Sequence, residues 1–382
     1  PDMSTLKATN LEHASNTGDP NIQLYADGST SIKSLNNSAE NLLMNSGMIV
    51  KQRDYDYPSG APVAFGTGPN GGTYTLDRWR YWKVASSGRT DITQDNADLP
   101  PGFSCGLRAT VGIPTTGAAS WYEIIAQCIE GWNSAVLSWG TANGRPLTIS
   151  FWAQTNVAGK YAIWLRNNQA SDASQTVYCT TYEIPTADTW TYCTVTIPAP
   201  PIVAGVSWST GNAIGVEIGW GIAASVEYQG PDDTWNLTAD TPQVFFTDDC
   251  VQNWSETAGN YFRLTGTVAN VGEAPTPWVQ KNAQLEQLEC SRYFYKYPLS
   301  MNQLAVVYDQ SAANGRIIQL AHPTPMRTAP TYTWASSTNW SGSASVSTNA
   351  FYTYIYGAPA IKTSVQYLSG LKATAELGVS PN

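Results

Sequence analysis

The chain is 382 residues long with a formal net charge of −9, and only 13% of its residues are charged while 12% are aromatic. Tight binding to a phosphate backbone rests on lysines and arginines releasing counterions, so this acidic balance excludes nucleic acid as a main partner. No apolar run reaches the roughly 18 residues that span a bilayer, and no basic stretch followed by an apolar core stands near the start, so neither membrane insertion nor a secretory leader is expected.

A chain this long exceeds the roughly 250 to 300 residues at which a single core stops growing, and two or three domains are predicted. Residues 1–40 read as a short docking segment. Ile22 and Leu24 alternate with polar residues, Asp27-Gly28 is a hairpin turn signal, and Ile32 and Leu35 follow on the return. Two such strands bury almost nothing, so the segment needs a partner surface, either the next domain or further copies of itself.

From Asn41 to Glu289 short strands alternate with turn residues. The predicted strands are Tyr74 to Val84, Ser104 to Ile113, Glu123 to Glu130, Val177 to Ile184, Thr191 to Ile197, Ala213 to Trp220, Val244 to Thr247 and Tyr261 to Thr267. At their centre lies Pro146 to Arg166. Leu147, Ile149, Phe151 and Ala153 alternate with Thr148, Ser150, Trp152 and Gln154. After Asn156-Val157-Ala158-Gly159, Tyr161, Ile163 and Leu165 alternate with Ala162, Trp164 and Arg166. This pattern predicts a central antiparallel hairpin. Helical periodicity is confined to Trp132–Trp139 and Ala283–Tyr293. Many short strands without helices predict an all-β, antiparallel jelly-roll β-sandwich over 41–289.

Residues 290–382 continue in the same style, with strands at Leu304 to Tyr308, Arg316 to Ala321, Thr331 to Ala335, Phe351 to Ile355 and Ile361 to Tyr367. They read as a smaller C-terminal β domain. No fixed-period repeat of the solenoid kind is present.

Catalytic and cofactor motifs are poor. Gly66-Thr67-Gly68-Pro69-Asn70-Gly71 matches the dinucleotide pattern, but it runs on into a strand instead of a helix start. The six cysteines (Cys105, Cys128, Cys179, Cys193, Cys250, Cys290) form no CxxC, and His13 and His322 are the only histidines. Neither a zinc site nor a disulfide scaffold fits, and free, mostly buried thiols are expected. No GxSxG elbow occurs. Asp232-Asp233 and Asp248-Asp249 put neighbouring carboxylates on opposite faces of an extended chain, which is not an acid and base pair.

Several ordered fragments carry a family likeness: Asn41-Leu42-Leu43 with Asn45, Gly47-Met48 and Gln52-Arg53; Asp77-Arg78-Trp79; Gln127 with Ile129-Glu130; and Leu147 to Ala153. They resemble the carbohydrate-binding-like jelly-roll domain of bacteriophage tail fibre and virion proteins. Cys290-Ser291-Arg292-Tyr293 and Pro325 to Pro330 resemble the carboxy-terminal part of those proteins. Ser4 to Lys7 and Asn21 to Leu24 with Asp27-Gly28-Ser29 resemble the start of marine and cyanobacterial phage fibres. The resemblance implies a homotrimeric virion appendage, docked to other virion proteins through its first residues and adsorbing to a host cell-surface glycan without enzymatic activity. The competing readings are a head fibre or capsid decoration protein, and a glycan-acting enzyme or its sugar-binding module. Read physically, Arg53, Asp77 and Arg78 are expected to form a charge-assisted pair that pins strand ends.

Four tryptophans lie among polar loop residues: Trp208, Trp235, Trp254 and Trp340. An exposed indole offers a flat apolar plate with little rotamer entropy to lose, so these four are the candidate sugar-stacking residues, the competing role being a lid on the sandwich edge. Asp248 and Asp249 are the candidate ligands of a structural calcium near a strand end, the competing role being a solvated or backbone-capping pair.

Overall fold

The structure is a computed structural model that describes residues 10–11, 22–24, 30–32, 41–53, 73–84, 88–115, 121–167, 175–237, 245–250, 253–297, 307–310, 315–333, 336–338, 340–359, 367–369 and 371–377. The glycine-rich run 66–71, His13, Asp27-Gly28, Leu35 and most of 361–367 lie outside the described residues. The chain divides into two compact units, 1–41 and 42–382. In the first, Ile22–Leu24 is the middle strand between Asn10–Leu11 and Thr30–Ile32, with Leu24 opposite Thr30 and Ile22 opposite Ile32.

The second unit is all-β, an antiparallel jelly-roll sandwich. Its strands are β1 (Thr73–Tyr74), β2 (Arg80–Val84), β3 (Arg89–Asp95), β4 (Gly106–Ile113), β5 (Tyr122–Glu130) and β6 (Leu147–Thr155). They continue with β7 (Gly159–Arg166), β8 (Thr176–Ile184), β9 (Thr191–Ile197), β10 (Ile214–Ala224), β11 (Thr234–Leu237) and β12 (Tyr261–Val271). One sheet has seven strands in the order β11-β8-β7-β10-β5-β2-β1, and the other five in the order β9-β6-β12-β4-β3. A short helix α1 (Gly131–Ser134) follows β5, and α2 (Ala283–Ser291) follows the sandwich, close to where the two helical segments were read.

The expected central hairpin is not formed. β6 belongs to the five-stranded sheet and β7 to the seven-stranded one, so the 156–158 connection carries the chain across the sandwich instead of turning it back on itself. The physical reason lies in the apolar phases of both strands. Ile149 and Phe151 from β6 and Ile163 and Leu165 from β7 are fully buried in one common core, and they meet most directly by facing each other between two layers. The other phase of β7 is buried too. Ala162 and Trp164 pack with Phe245 and Phe246 in a second cluster on the far side of the seven-stranded sheet. There Arg166 (2.7 Å) and Arg80 (2.8 Å) clamp the fully buried Glu217.

Asn45, Gln52-Arg53, Asp77-Arg78-Trp79 and Gln127 lie at a packed seam. Asn45, at φ +50, accepts the Val50 amide and donates to the carbonyls of Val50 and Asp77, while Trp79 Nε1 donates to the Asn45 carbonyl. Gln127 exchanges two hydrogen bonds with the Met44 backbone. Arg53 and Arg78 do not clamp Asp77 as expected. Both bind the buried carboxylate of Glu376, Arg53 at 3.0 Å and Arg78 closer still. Arg327 meanwhile holds the carbonyls of Ala375 and Glu376. Asp77 instead accepts from the Gln52 amide at 2.6 Å and from Gln52 Nε2 at 2.9 Å.

Burial pushes the Asp77 carboxyl up to about 6, a shift only partly opposed by Arg53. A carboxyl whose folded pKa is raised stabilises the fold fully below its unfolded value, and that contribution disappears as pH rises through the folded value. From well below pH 4 to well above pH 6 this residue therefore removes about 3 kcal/mol of stability, about 2 kcal/mol of it between pH 4 and pH 6. Asp77→Asn is expected to flatten the stability profile over that window relative to the parent. Denaturant unfolding at pH 4, 5, 6 and 7 checks this, and parallel profiles for the two proteins would refute it.

Other strands belong to the same unit, among them two two-stranded sheets, Gln229–Gly230 with Phe246–Thr247 in parallel and Ser336–Thr338 with Tyr367–Ser369. A three-stranded sheet is formed by Phe294–Lys296, Lys372–Thr374 and Thr331–Thr333, and a four-stranded one by Val307–Gln310, Gly315–Ala321, Tyr352–Pro359 and Trp340–Thr348. All six cysteines are free thiols.

Candidate functional site

The outer face of the five-stranded sheet is built from the polar phase of its strands. Along β6 that phase is Thr148, Ser150, Trp152 and Gln154, and along β9 it is Tyr192, Thr194 and Thr196. The pairing sets Tyr192 directly opposite Trp152. Their rings lie 5.4 Å apart, with Tyr192 46% exposed and Trp152 half-buried. On the other side of Trp152, β12 carries a register break between Thr265 and Val268. Gly266 sits in this break at φ +60, where an added Cβ would come within 2.5 Å of the Phe103 ring and 3.3 Å of Trp152. Only glycine permits both the left-handed backbone and this close approach. Phe103 then packs 4.5 Å from Trp278, whose Nε1 donates to Ser46 Oγ at 3.1 Å. The result is a run of four half-exposed rings, Tyr192 on β9, Trp152 on β6, and Phe103 and Trp278 from the loops beside β4 and after β12.

Polar groups flank the rings. Arg263 on β12 pairs with Asp95 at 2.8 Å, donates to Gln154 Oε1 at 2.6 Å, and lies 4.9 Å from the Trp190 ring centre. It also donates to the Ala97 carbonyl. Arg108 on β4, directly across from Arg263, covers Tyr261 at 4.5 Å. The Tyr261 hydroxyl donates to Asp188, and burial followed by that carboxylate raises its pKa to about 12. Trp190 Nε1 donates to the Asp98 carbonyl at 2.6 Å. Charge-assisted bonds thus hold this half of the face rigid, while the Tyr192 and Trp152 half presents flat apolar surface. Such a face can hold a ring-shaped, hydroxylated ligand by stacking and hydrogen bonding.

The sequence-derived candidates fall elsewhere. Trp208 and Trp235 are brought together with Trp139, their ring centres 4.7 to 5.8 Å apart and nearly perpendicular. Trp235 Nε1 donates to the Pro198 carbonyl, and Trp208 Nε1 is buried with no hydrogen-bond partner among the described residues. Both pack on the main core as a half-buried lid at the sandwich end. Trp254 is a correction. It is fully buried in a short 3-10 turn, with Nε1 donating to the Tyr261 carbonyl, because the apolar interior recruits it despite its polar neighbours. Trp340 opens the strand Trp340–Thr348, and its side chain lies outside the described residues.

Asp248 and Asp249 are exposed turn residues, and Asp249 is bound by Lys160 at 2.5 Å. Among the described residues no group of three His, Cys, Asp or Glu side chains converges. His322 has both ring nitrogens engaged by tyrosine hydroxyls, Tyr297 at 2.7 Å and Tyr332 at 3.1 Å, and neither faces a serine. The rings that the sequence reading passed over, Trp152 and Tyr192, did carry a signal. Each is a large aromatic standing in the polar phase of a strand alternation, among threonines and serines.

No protein-family model matches the chain, and no curated protein matches it. Among solved structures it is similar to the enzymatically active domain of bacteriophage CBA120 tailspike protein 4, at 15% identity and TM-score 0.27, over 51% of this chain and 19% of that one. It is similar to a putative sugar binding protein from Bacteroides thetaiotaomicron at 10% identity and TM-score 0.31, over 60% of this chain and 99% of that one. It is also similar to a family 11 carbohydrate-binding module from Clostridium thermocellum in complex with a β-1,3-1,4-mixed-linked tetrasaccharide, at 12% identity and TM-score 0.27, over 52% and 91% of the two chains. At these identities and scores the likenesses carry no argument about what this chain binds.

Proposed function

We propose that the protein is a carbohydrate-binding sandwich that works by binding and not by chemistry, with the outer face of the five-stranded sheet as its binding surface. One observation carries this reading: the run of half-exposed rings Tyr192, Trp152, Phe103 and Trp278, beside which the buried Arg263, Gln154 and Asp95 are tied to one another and Arg108 reaches the surface. The finer form of the proposal is a virion appendage displayed as a homotrimer, docked to other virion proteins through residues 1–41 and adsorbing to a host-surface glycan. It is supported by the fragment resemblance and by the separation of 1–41 as its own compact unit.

A glycan array followed by titration calorimetry at low and high salt tests the binding reading. Stacking and neutral hydrogen bonds predict affinities that change little with ionic strength. Failure to bind any glycan, or affinity that collapses with salt, would overturn it. Light scattering on the full chain tests the finer reading, which expects a mass that is a multiple of three copies.

A further inference from the structure

The four edges of the two sheets are not alike. In the seven-stranded sheet β1 has two residues and β11 four, too short to template another strand. In the five-stranded sheet β3 carries Arg89, Asp91 and Asp95 and breaks register between Arg89 and Thr90, both devices that blunt an edge. β9 has neither. Its seven residues, Thr-Tyr-Cys-Thr-Val-Thr-Ile, contain no charge and no proline, and they pair with β6 without a break from Thr191 opposite Ala153 to Ile197 opposite Leu147. β-branched and aromatic residues of this kind favour a paired strand. Among the described residues no strand pairs with its free edge.

We propose that the free edge of β9 is an interaction surface for a second copy of this chain, pairing antiparallel about Thr194. A second copy fits for two reasons. On a chain of net charge −9 this uncharged strand is where two copies approach without opposing side-chain charges along the contact. Its sequence is also self-complementary about Thr194: Cys193 meets Val195 and Thr191 meets Ile197 on the core phase, while Tyr192 meets Thr196 and Thr194 meets itself on the outer phase. Both phases therefore stay on their own faces, which a one-residue slip would forfeit.

The pairing makes a continuous sheet of ten strands, five from each copy. Cross-strand neighbours point to one side, so the two outer faces join. The two Tyr192 rings then stand about 13 Å apart along the strand direction. The doubling of the ring surface rests on the carbohydrate reading above. The edge pairing itself does not.

The test uses the full chain, with mass from light scattering over a concentration series and glycan affinity per chain measured in parallel. An even number of copies is expected: two if residues 1–41 do not associate, six if they hold three. Thr194 is exposed, so Thr194→Lys should fold like the parent. It places two like charges directly opposite each other at the dyad, and the mass should halve. Mixing Thr194→Lys with Thr194→Glu should restore the paired mass, which a merely misfolded variant would not do. A parent of one or three copies, an undiminished mass for Thr194→Lys, or no recovery in the mixture would each overturn the proposal. Loss of glycan binding with the masses as expected would count against the carbohydrate reading alone.

Discussion

Glu376→Gln is expected to be among the most destabilising single substitutions in this protein, costing about 3 to 5 kcal/mol in denaturant unfolding. Removing one partner of a buried ion pair leaves the other as an uncompensated charge, and costs of that size follow. Here one carboxylate serves two guanidinium groups, Arg53 and Arg78, which are almost fully buried. Both also lie over aromatic rings, Arg53 at 3.8 Å from the Phe294 ring centre and Arg78 at 3.6 Å from that of Tyr293. Neither can swing out to water without opening the seam that joins 45–53, 77–80, 292–297 and 371–377. The control is Lys160→Gln, which breaks the exposed pair with Asp249 and should leave the unfolding midpoint unchanged. Equal effects of the two substitutions would show that the Glu376 cluster is not the seam's main tie.

Trp152→Ala and Tyr192→Ala are each expected to weaken glycan affinity by about 10- to 100-fold, since losing one stacked ring removes roughly 1.5 to 3 kcal/mol of buried apolar contact. Combined they should abolish measurable binding by a single chain. Unfolding should barely change, because both rings stand on the outer face and neither belongs to the main core. Trp235→Ala should behave in the opposite way. Its ring closes the sandwich end against Trp139 and Tyr178, so stability should fall while affinity is retained. Calorimetry with the best array ligand, alongside unfolding of each variant, separates the two patterns. If Trp235→Ala loses binding and Trp152→Ala does not, the site lies at the sandwich end.

The rival from another class, a glycan-acting enzyme, would cleave the polysaccharide it binds. Asp95 is paired with Arg263, and Asp188 accepts from the Tyr261 hydroxyl. The binding reading expects no release of reducing ends from the bound polysaccharide, and a reducing-sugar assay on the full chain checks it; release that Asp188→Asn abolishes would favour the enzyme.

The local content of this fold was open to reading from the sequence alone. β9 runs over the very residues read for it, and β5, β8 and β12 were placed with shifts at their ends, because period-2 alternation is written into neighbouring residues and needs no partner to be recognised. The scarcity of helix followed from the missing 3.6-residue periodicity in the same way. β3 was passed over because only Ile92 among its seven residues is a large apolar one, and its strand state comes from pairing with β4. Alternation also says which residues share a face without saying what covers that face. So it could not tell that Trp164 is buried under Phe245 while Trp152 is left half-exposed, or that β6 and β7 lie in opposite sheets. The partner of Arg53 stands 323 positions away at Glu376, and Trp254 was drawn into the core from a polar sequence. Such choices depend on burial and on long-range charge pairing, which exist only once distant segments are packed together.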